Sequence, residues 1–486
     1  MKKVILLMVM AFFPRLLVAQ DTGIDALLGE HWYGLYLKGQ KCGYSMHRVD
    51  RMPDGVISIV EDAQFKVLMG TIPQDLRIYT EHKYSADGAL MNITARVDDP
   101  VNSTTFHAAI DDDKMILSTS IGGDEATETL PRPKESLDDA LKQLEFFSGG
   151  PKKGDTLAYS MFDPVNRTEL NMLAKVVNIE ERILDGTPTT VYKVNTTISP
   201  LGFETTSFVA EDGTLLEDTV PPLLVQRLEP KEIAQDVEYS NDTMVSNAAL
   251  VDEPIENPRD RDSLRLVLTG PLTEKHLFND ERQFLIQNGD GVDFTATRIA
   301  MDNFTPAALP IAEPDVAQWK EATAFVQSDN EKLQAKAKEI IGGETDALKI
   351  SNKLCKWVYQ NVHSTFSARL SNALEVLENL EGDCTEHSIL FIGLARAAGL
   401  PAREVAGLVY VDSPQPGFYF HQWAKVWVGK WIDVDPTFNQ PLADVTHIKL
   451  AEGDLLEQTK FIPLIGQINV RVVPQKAPEG EERDNT

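Results

Sequence analysis

The sequence predicts an α+β protein, with a large antiparallel β-rich N-terminal region followed by a smaller C-terminal α+β domain. Three observations carry this expectation. From about Gln20 to Ala300 short alternating runs are broken by Gly, Asp, Asn and Pro; after a Pro-rich stretch, Thr305 to Pro314, the apolar spacing changes to a helical period; and 486 residues exceed one ordinary core.

The elements follow in order. Lys2 and Lys3, the apolar run Val4 to Phe13 and the Leu17-Val18-Ala19 ending read as a cleaved export signal over residues 1–19, since the run is too short to span a bilayer. The expectation is therefore an exported, periplasmic or extracellular chain with no membrane span after cleavage. Runs such as Val56-Ile57-Ser58-Ile59-Val60 and Thr189-Thr190-Val191-Tyr192-Lys193-Val194 read as strands. Charged, Pro-containing stretches near Pro131 to Leu141 and Pro221 to Asp236 place soft boundaries near Gly150 and Asn247. This gives a β-rich domain over 20–150, and a second one, or a continuation of the first, over 151–300. His31, His47, His82, His107 and His276 are scattered there without metal-ligand spacing. Beyond a linker at 301–315, a catalytic domain is expected over 316–473. Helices are expected at Asp329 to Ile341, Asp346 to Val362 and Ser371 to Leu380, then strands at Ala402 to Val411, Phe418 to Val428, Trp431 to Asp435 and Gln467 to Val473. Residues 474–486 read as a disordered acidic tail.

Charge excludes some partners. With 46 basic and 74 acidic residues the formal net charge is -28, which repels nucleic acid and anionic surfaces. Cys42, Cys355 and Cys384 are too few for a disulfide scaffold, and an odd count leaves at least one thiol free. A Cys42 to Cys355 bridge stays open at this stage.

The chemistry concentrates at Gly382-Asp383-Cys384-Thr385-Glu386-His387, ahead of a helical run closed by Gly399 and Pro401. Cys384 thus starts a helix, where unpaired N–H groups and the helix dipole favour thiolate and can face an oxyanion. Asp383 opposes that shift. A thiol nucleophile needs a proton shuttle, and His421 is the strongest candidate, with Asp435 on the next strand to orient it. His387 shares a helix face with Cys384, which leaves little room for substrate between them. Asp433 has the same strand parity as Asp435 and is the rival orienter. Trp423 and Asp383 join Asp433 as residues that could wall or support the site. No metal or other cofactor is implied, His447 reads as a structural histidine, and His363 has no evident partner.

These residues resemble the transglutaminase-like superfamily of papain-fold thiol enzymes, in the exported bacterial type with an N-terminal β-rich region. The resemblance rests on Gly382-Asp383-Cys384, Leu394 to Arg403, His421-Gln422-Trp423 and Asp435-Pro436-Thr437, four blocks in order. It implies a transglutaminase-like (papain-like) α+β catalytic domain, with Cys384, His421 and Asp435 as a catalytic triad. The expected reaction is acyl transfer on a peptide or amide through a thioester, with water as acceptor in a protease or amidase. An amine acceptor would make a crosslinking transglutaminase, and a β-rich binding scaffold with an idle triad is the reading from another class.

One geometric expectation is independent of the resemblance. A two-residue turn at Gly429-Lys430 would pair Val428 with Trp431 and put His421 and Asp435 on opposite faces. A three-residue connection or a bulge instead pairs Trp423 with Asp435, with His421 diagonally beside it at about 7 to 8 Å. The second arrangement is the expected one.

Overall fold

The computed structural model describes residues 24–473, apart from 70–71, 101, 112, 122, 185, 221–223, 240–246, 252, 366–370 and 454. The signal peptide expected at 1–19 and the tail expected at 474–486 lie outside the described residues.

Alternation builds the N-terminal region. Along Ile72–Tyr84 the residues Gln74, Leu76, Ile78, Thr80, His82 and Tyr84 are buried while their neighbours face outward or lie half-buried. A period of two gives each strand one inward face. Strands between Gly29 and Leu228 join in one 14-stranded antiparallel sheet. Eight run consecutively from Gly29–Leu37 to Asp124–Pro131 and six from Thr156–Asp163 to Leu224–Leu228. The two runs meet where the first strand pairs the last, with Gly34 beside Arg227. Strands on either side of Gly150 therefore share one sheet. Between the runs, where the sequence suggests only a charged break, lies the helix Leu137–Ser148. Its buried face is Leu137, Gln143, Leu144 and Phe147, and the charged Asp138, Asp139 and Lys142 between them obscure the period.

The C-terminal part is a helical layer against a sheet. Glu331–Ile341, Ala347–Asn361 and Ala373–Asn379 each begin at a side chain that accepts a backbone N–H: Asn330, Asp346 and Asn372. Such caps satisfy donors that the first helical turn leaves unpaired. Leu333, Ile350, Leu354 and Val376 from these helices are buried. They surround the helix Cys384–Ala397, which is buried from Thr385 to Ala395. That helix lies on a five-stranded sheet ordered Ala249–Leu250, Gly417–Trp427, Ala402–Val411 and His447–Glu452, with Trp431–Val434 paired to Gly417–Trp427. His447–Glu452 is an element that the sequence reading does not contain.

A four-stranded sheet sits beside this one, ordered Gln283–Asn288, Gly291–Thr297, Ser263–Thr269 and Asn469–Val472. Its first three strands precede the helices in sequence and its fourth is close to the C-terminal end of the described residues. The Pro-rich connection also packs down, since the Ala307 N–H donates to Val428 O at 2.7 Å and the Leu309 N–H to Thr345 O at 2.8 Å. Among the described residues no helix is long and apolar enough to cross a membrane.

Candidate active site

Cys384 is the first residue of its helix, as the sequence suggests. Asp383 is the cap: its Oδ1 accepts the Thr385 N–H at 2.8 Å, and the Glu386 carboxylate reaches back to the Asp383 N–H at 2.8 Å. This reciprocal box fixes the turn that presents the thiol. Gly382 precedes it at φ +157, and a Cβ there would collide with the Glu386 side chain, so the approach requires glycine. Within the helix the Cys384 N–H has no carbonyl four residues back to bond, which leaves it free to face a negative charge.

His421 comes from the strand Gly417–Trp427. Its register with Trp431–Val434 runs Ala424 with Val434, Lys425 with Asp433, Val426 with Ile432 and Trp427 with Trp431. The connection thus holds three residues, Val428, Gly429 and Lys430. Gly429 sits at φ +106 against Ala307 and Phe304, so the packed linker shapes this turn. The consequence is the arrangement expected above, in which Asp435 comes to the histidine's side.

His421 Nε2 lies 2.8 Å from Asp435 Oδ2. The ring also makes hydrogen-bonding contact with the Cys384 side chain, for which Nδ1 is the nitrogen left. Burial opposes a charge on His421, but the Asp435 carboxylate and then the Cys384 sulfur outweigh it and raise the imidazole to about 10. Burial likewise opposes charge on Asp435, which is fully enclosed, yet the charge and hydrogen bond of His421 hold its carboxyl well below the usual range. Asp435 Oδ1 is occupied by the Thr437 and Phe438 N–H groups at 2.8 and 3.3 Å. Phe438 lies nearly parallel to the imidazole with centroids 5.1 Å apart, and Trp423 does so at 6.1 Å. Aromatic faces therefore shield the ring from water.

The other named residues separate clearly. Asp433 is buried and turns away from His421: it accepts Trp423 Nε1–H at 3.2 Å and Arg282 Nε–H at 3.2 Å, with Lys449 Nζ at 3.7 Å. His387 Nδ1 lies 2.7 Å from the Asp383 carbonyl, and burial lowers its pKa. His363 is exposed on a two-residue strand. All three cysteines are free: Cys42 and Cys355 are buried, while Cys384 is half-buried. Burial pushes the Cys42 thiol up to about 12 and the Cys355 thiol higher still.

His447 is the residue whose place the sequence conceals. Its Nε2 lies 2.9 Å from Asp435 Oδ2, the same oxygen that holds His421, and its Nδ1 is 3.2 Å from Asp444 Oδ1. A histidine in Val445-Thr446-His447-Ile448 carries no local signal of this, because the contact depends on a strand pairing. His421, Asp435 and His447 bring their ligand-type atoms within 4.8 Å of one another. The 2.8 and 2.9 Å separations onto one oxygen are those of direct hydrogen bonds.

A cavity of about 280 Å³ opens beside the thiol. Val409, Val411, Pro414, Phe420 and Phe438 supply its apolar wall, Ser364, Thr365, Ser413 and Thr437 its hydroxyls, and among the described residues no Lys or Arg lines it.

Comparison with known proteins places this segment. Residues 334–436 match the model of the transglutaminase-like superfamily. An uncharacterized protein from Haemophilus influenzae is 32% identical over 125 residues, which are 25% of this chain and 34% of that protein. The chain thus spans about a third of that relative's length. Among solved structures, a candidate cysteine protease from Cytophaga hutchinsonii is 18% identical with a TM-score of 0.31, over 44% of this chain and 82% of that one. A β-barrel-like protein of a domain of unknown function from Brucella abortus is 13% identical with a TM-score of 0.33, over 41% of this chain and 94% of that one. Residues 334–436, which hold Cys384, His421 and Asp435, are a transglutaminase-like domain carried behind a large antiparallel β-rich region.

Proposed function

We propose that the chain is an exported thiol hydrolase that cleaves peptide or amide bonds through Cys384, His421 and Asp435. The observation that carries the reading is the unbroken contact from the Cys384 sulfur through His421 to a buried, ionised Asp435, opening on a cavity at the sulfur. In this mechanism the thiolate attacks the carbonyl carbon, and the oxyanion faces the helix N-terminus. Collapse breaks the C–N bond while His421 donates its proton to the departing amine. Water then attacks the thioester, His421 takes a proton from it, and the acid leaves as the thiolate–imidazolium pair is restored. Asp435 keeps the ring oriented and steadies its charge throughout.

The cavity narrows the substrate class. The apolar wall of Val409, Val411, Pro414, Phe420 and Phe438 suits an uncharged, apolar side chain flanking the reacting carbonyl, and the net charge of -28 disfavours an acidic one. Export is supported by Lys2, Lys3 and the apolar run Val4 to Phe13.

A peptide panel incubated with and without a primary amine tests the reaction. The expected result is new N-termini or released ammonia, abolished in Cys384→Ala. Incorporation of the amine in preference to water would assign crosslinking instead. No product of either kind, with Cys384 alkylating no faster than an ordinary thiol, would leave the β-rich scaffold as the function.

A further inference from the structure

We propose that His447 is a positioning residue: by donating to the same oxygen of Asp435 that holds His421, it fixes that carboxylate and limits how tightly it grips the imidazolium. The inference rests on the thiol-hydrolase reading above.

The argument starts from hydrogen-bond capacity. Asp435 is enclosed and ionised, so it can only accept, and the Nε2 of His447 at 2.9 Å must be the donor. Asp435 then carries four donors: His421 and His447 on Oδ2, Thr437 and Phe438 backbone groups on Oδ1. Each added donor spreads the carboxylate's negative charge and weakens its hold on any one partner.

His447 is itself held from several directions. Its Nδ1 lies 3.2 Å from Asp444 Oδ1, and that carboxylate accepts from the Thr446 N–H at 2.7 Å, the Thr446 hydroxyl at 2.6 Å, Gln440 Nε2–H at 2.7 Å and Arg259 at 3.0 Å. Its carbonyl accepts from Arg282 Nη1–H at 2.6 Å, and its ring meets the Trp423 face edge-on at 5.1 Å. Its strand pairs with the central strand at Val409. A side chain fixed this way does not swing to follow the carboxylate; the carboxylate follows it.

The titratable and charged groups facing the His421–Asp435 pair are Cys384, Asp383 and His387 on the nucleophile helix and its cap, Cys355 on the helix Ala347–Asn361, and His447 on its strand. Of these only His447 donates to the Asp435 side chain. Its loss leaves His421 with the undivided carboxylate, so the imidazolium holds its proton to higher pH.

The test is the rate of Cys384 alkylation by iodoacetamide against pH, on the intact chain. The alkaline limb, where His421 gives up its proton and the thiolate loses its partner, moves up by about half a pH unit or more in His447→Phe. His447→Gln, whose amide N–H can still donate to Asp435, returns the limb most of the way. Asp444→Asn, which loosens the far end of His447, moves it in the same direction by less. A limb unmoved in a cooperatively melting His447→Phe, or moved equally by Phe and Gln, overturns the proposal; if His447→Phe does not fold, an unmoved limb in Asp444→Asn does so. A native protein with no imidazole-linked limb at all sinks the thiol-hydrolase reading instead, which keeps the two failures apart.

Discussion

Asp433 and Asp435 stand two residues apart, point to one side of the chain and are both buried, yet they hold different kinds of partner. Asp435 meets imidazoles from two strands of its own domain. Asp433 meets Arg282 and Lys449, and through Trp423 Nε1 it anchors the ring that lies against His421. Burial alone would raise both carboxyls, and cationic partners hold both well below the usual range. The difference lies in what each cation can do. Arg282 and Lys449 keep their protons, so Asp433 is structural, whereas His421 can release one, so Asp435 sits beside a proton that moves.

The largest expected effect breaks the pair apart functionally. Asp435→Asn lowers peptide hydrolysis by about 10⁴-fold while the protein stays folded, because the wrong tautomer or ring orientation is then favoured. Asp433→Asn changes the rate per folded molecule by less than about tenfold; the reverse ranking, measured on soluble and cooperatively melting variants, would hand the orienting role to Asp433.

Stability should rank the other way. Removing one partner of a buried ion pair leaves an uncompensated charge, so Arg282→Met costs about 3 to 5 kcal/mol in denaturant unfolding. Combined with Asp433→Asn the loss should fall short of the sum of the two single losses, and additivity would show that the two side chains act independently.

A smaller effect appears in pH. The folded His421 value of about 10 lies above its unfolded value of roughly 6.5, so its contribution is complete below the lower value and disappears as pH rises through the higher one. Melting temperature should therefore decline across that window in the native protein and do so much less in Asp435→Asn. Equal declines in both would mean the histidine is not held by this carboxylate. Smallest of all, Trp423→Phe removes the hydrogen bond to Asp433 together with part of a fully buried ring, and the lost hydrogen bond alone costs about 1 to 3 kcal/mol. The rate should stay within a few-fold of native if the ring still shields His421.

Legibility followed the range of the interactions involved. Cys384 at a helix start could be read because its signals, the helical run that follows it and the Gly399 and Pro401 that close that run, are local. The three-residue connection before Trp431 could be argued from parity, although the packing of Ala307 and Phe304 that shapes it could not. The β-rich region showed its strands through alternation, but not that Gly34 would lie beside Arg227, since pairing between distant strands leaves no periodic trace. Leu137–Ser148 was hidden by the charges Asp138, Asp139 and Lys142 between its buried residues. His447 and Arg282 were illegible for a different reason. Each does its work through a partner on another element, and one local residue type says nothing of which.

The strand Asn469–Val472 closes the sheet begun by Ser263–Thr269, pairing Val267 with Arg471 across more than two hundred intervening positions. The same small sheet carries Arg282 at the start of its edge strand, and Arg282 reaches both Asp433 and the His447 carbonyl. A chain emerging from the ribosome therefore cannot finish the platform behind its thiol until Asn469–Val472 has been made. Synthesis order itself delays assembly of the site, and a nascent chain that stops short of Val472 carries Cys384 without its completed support.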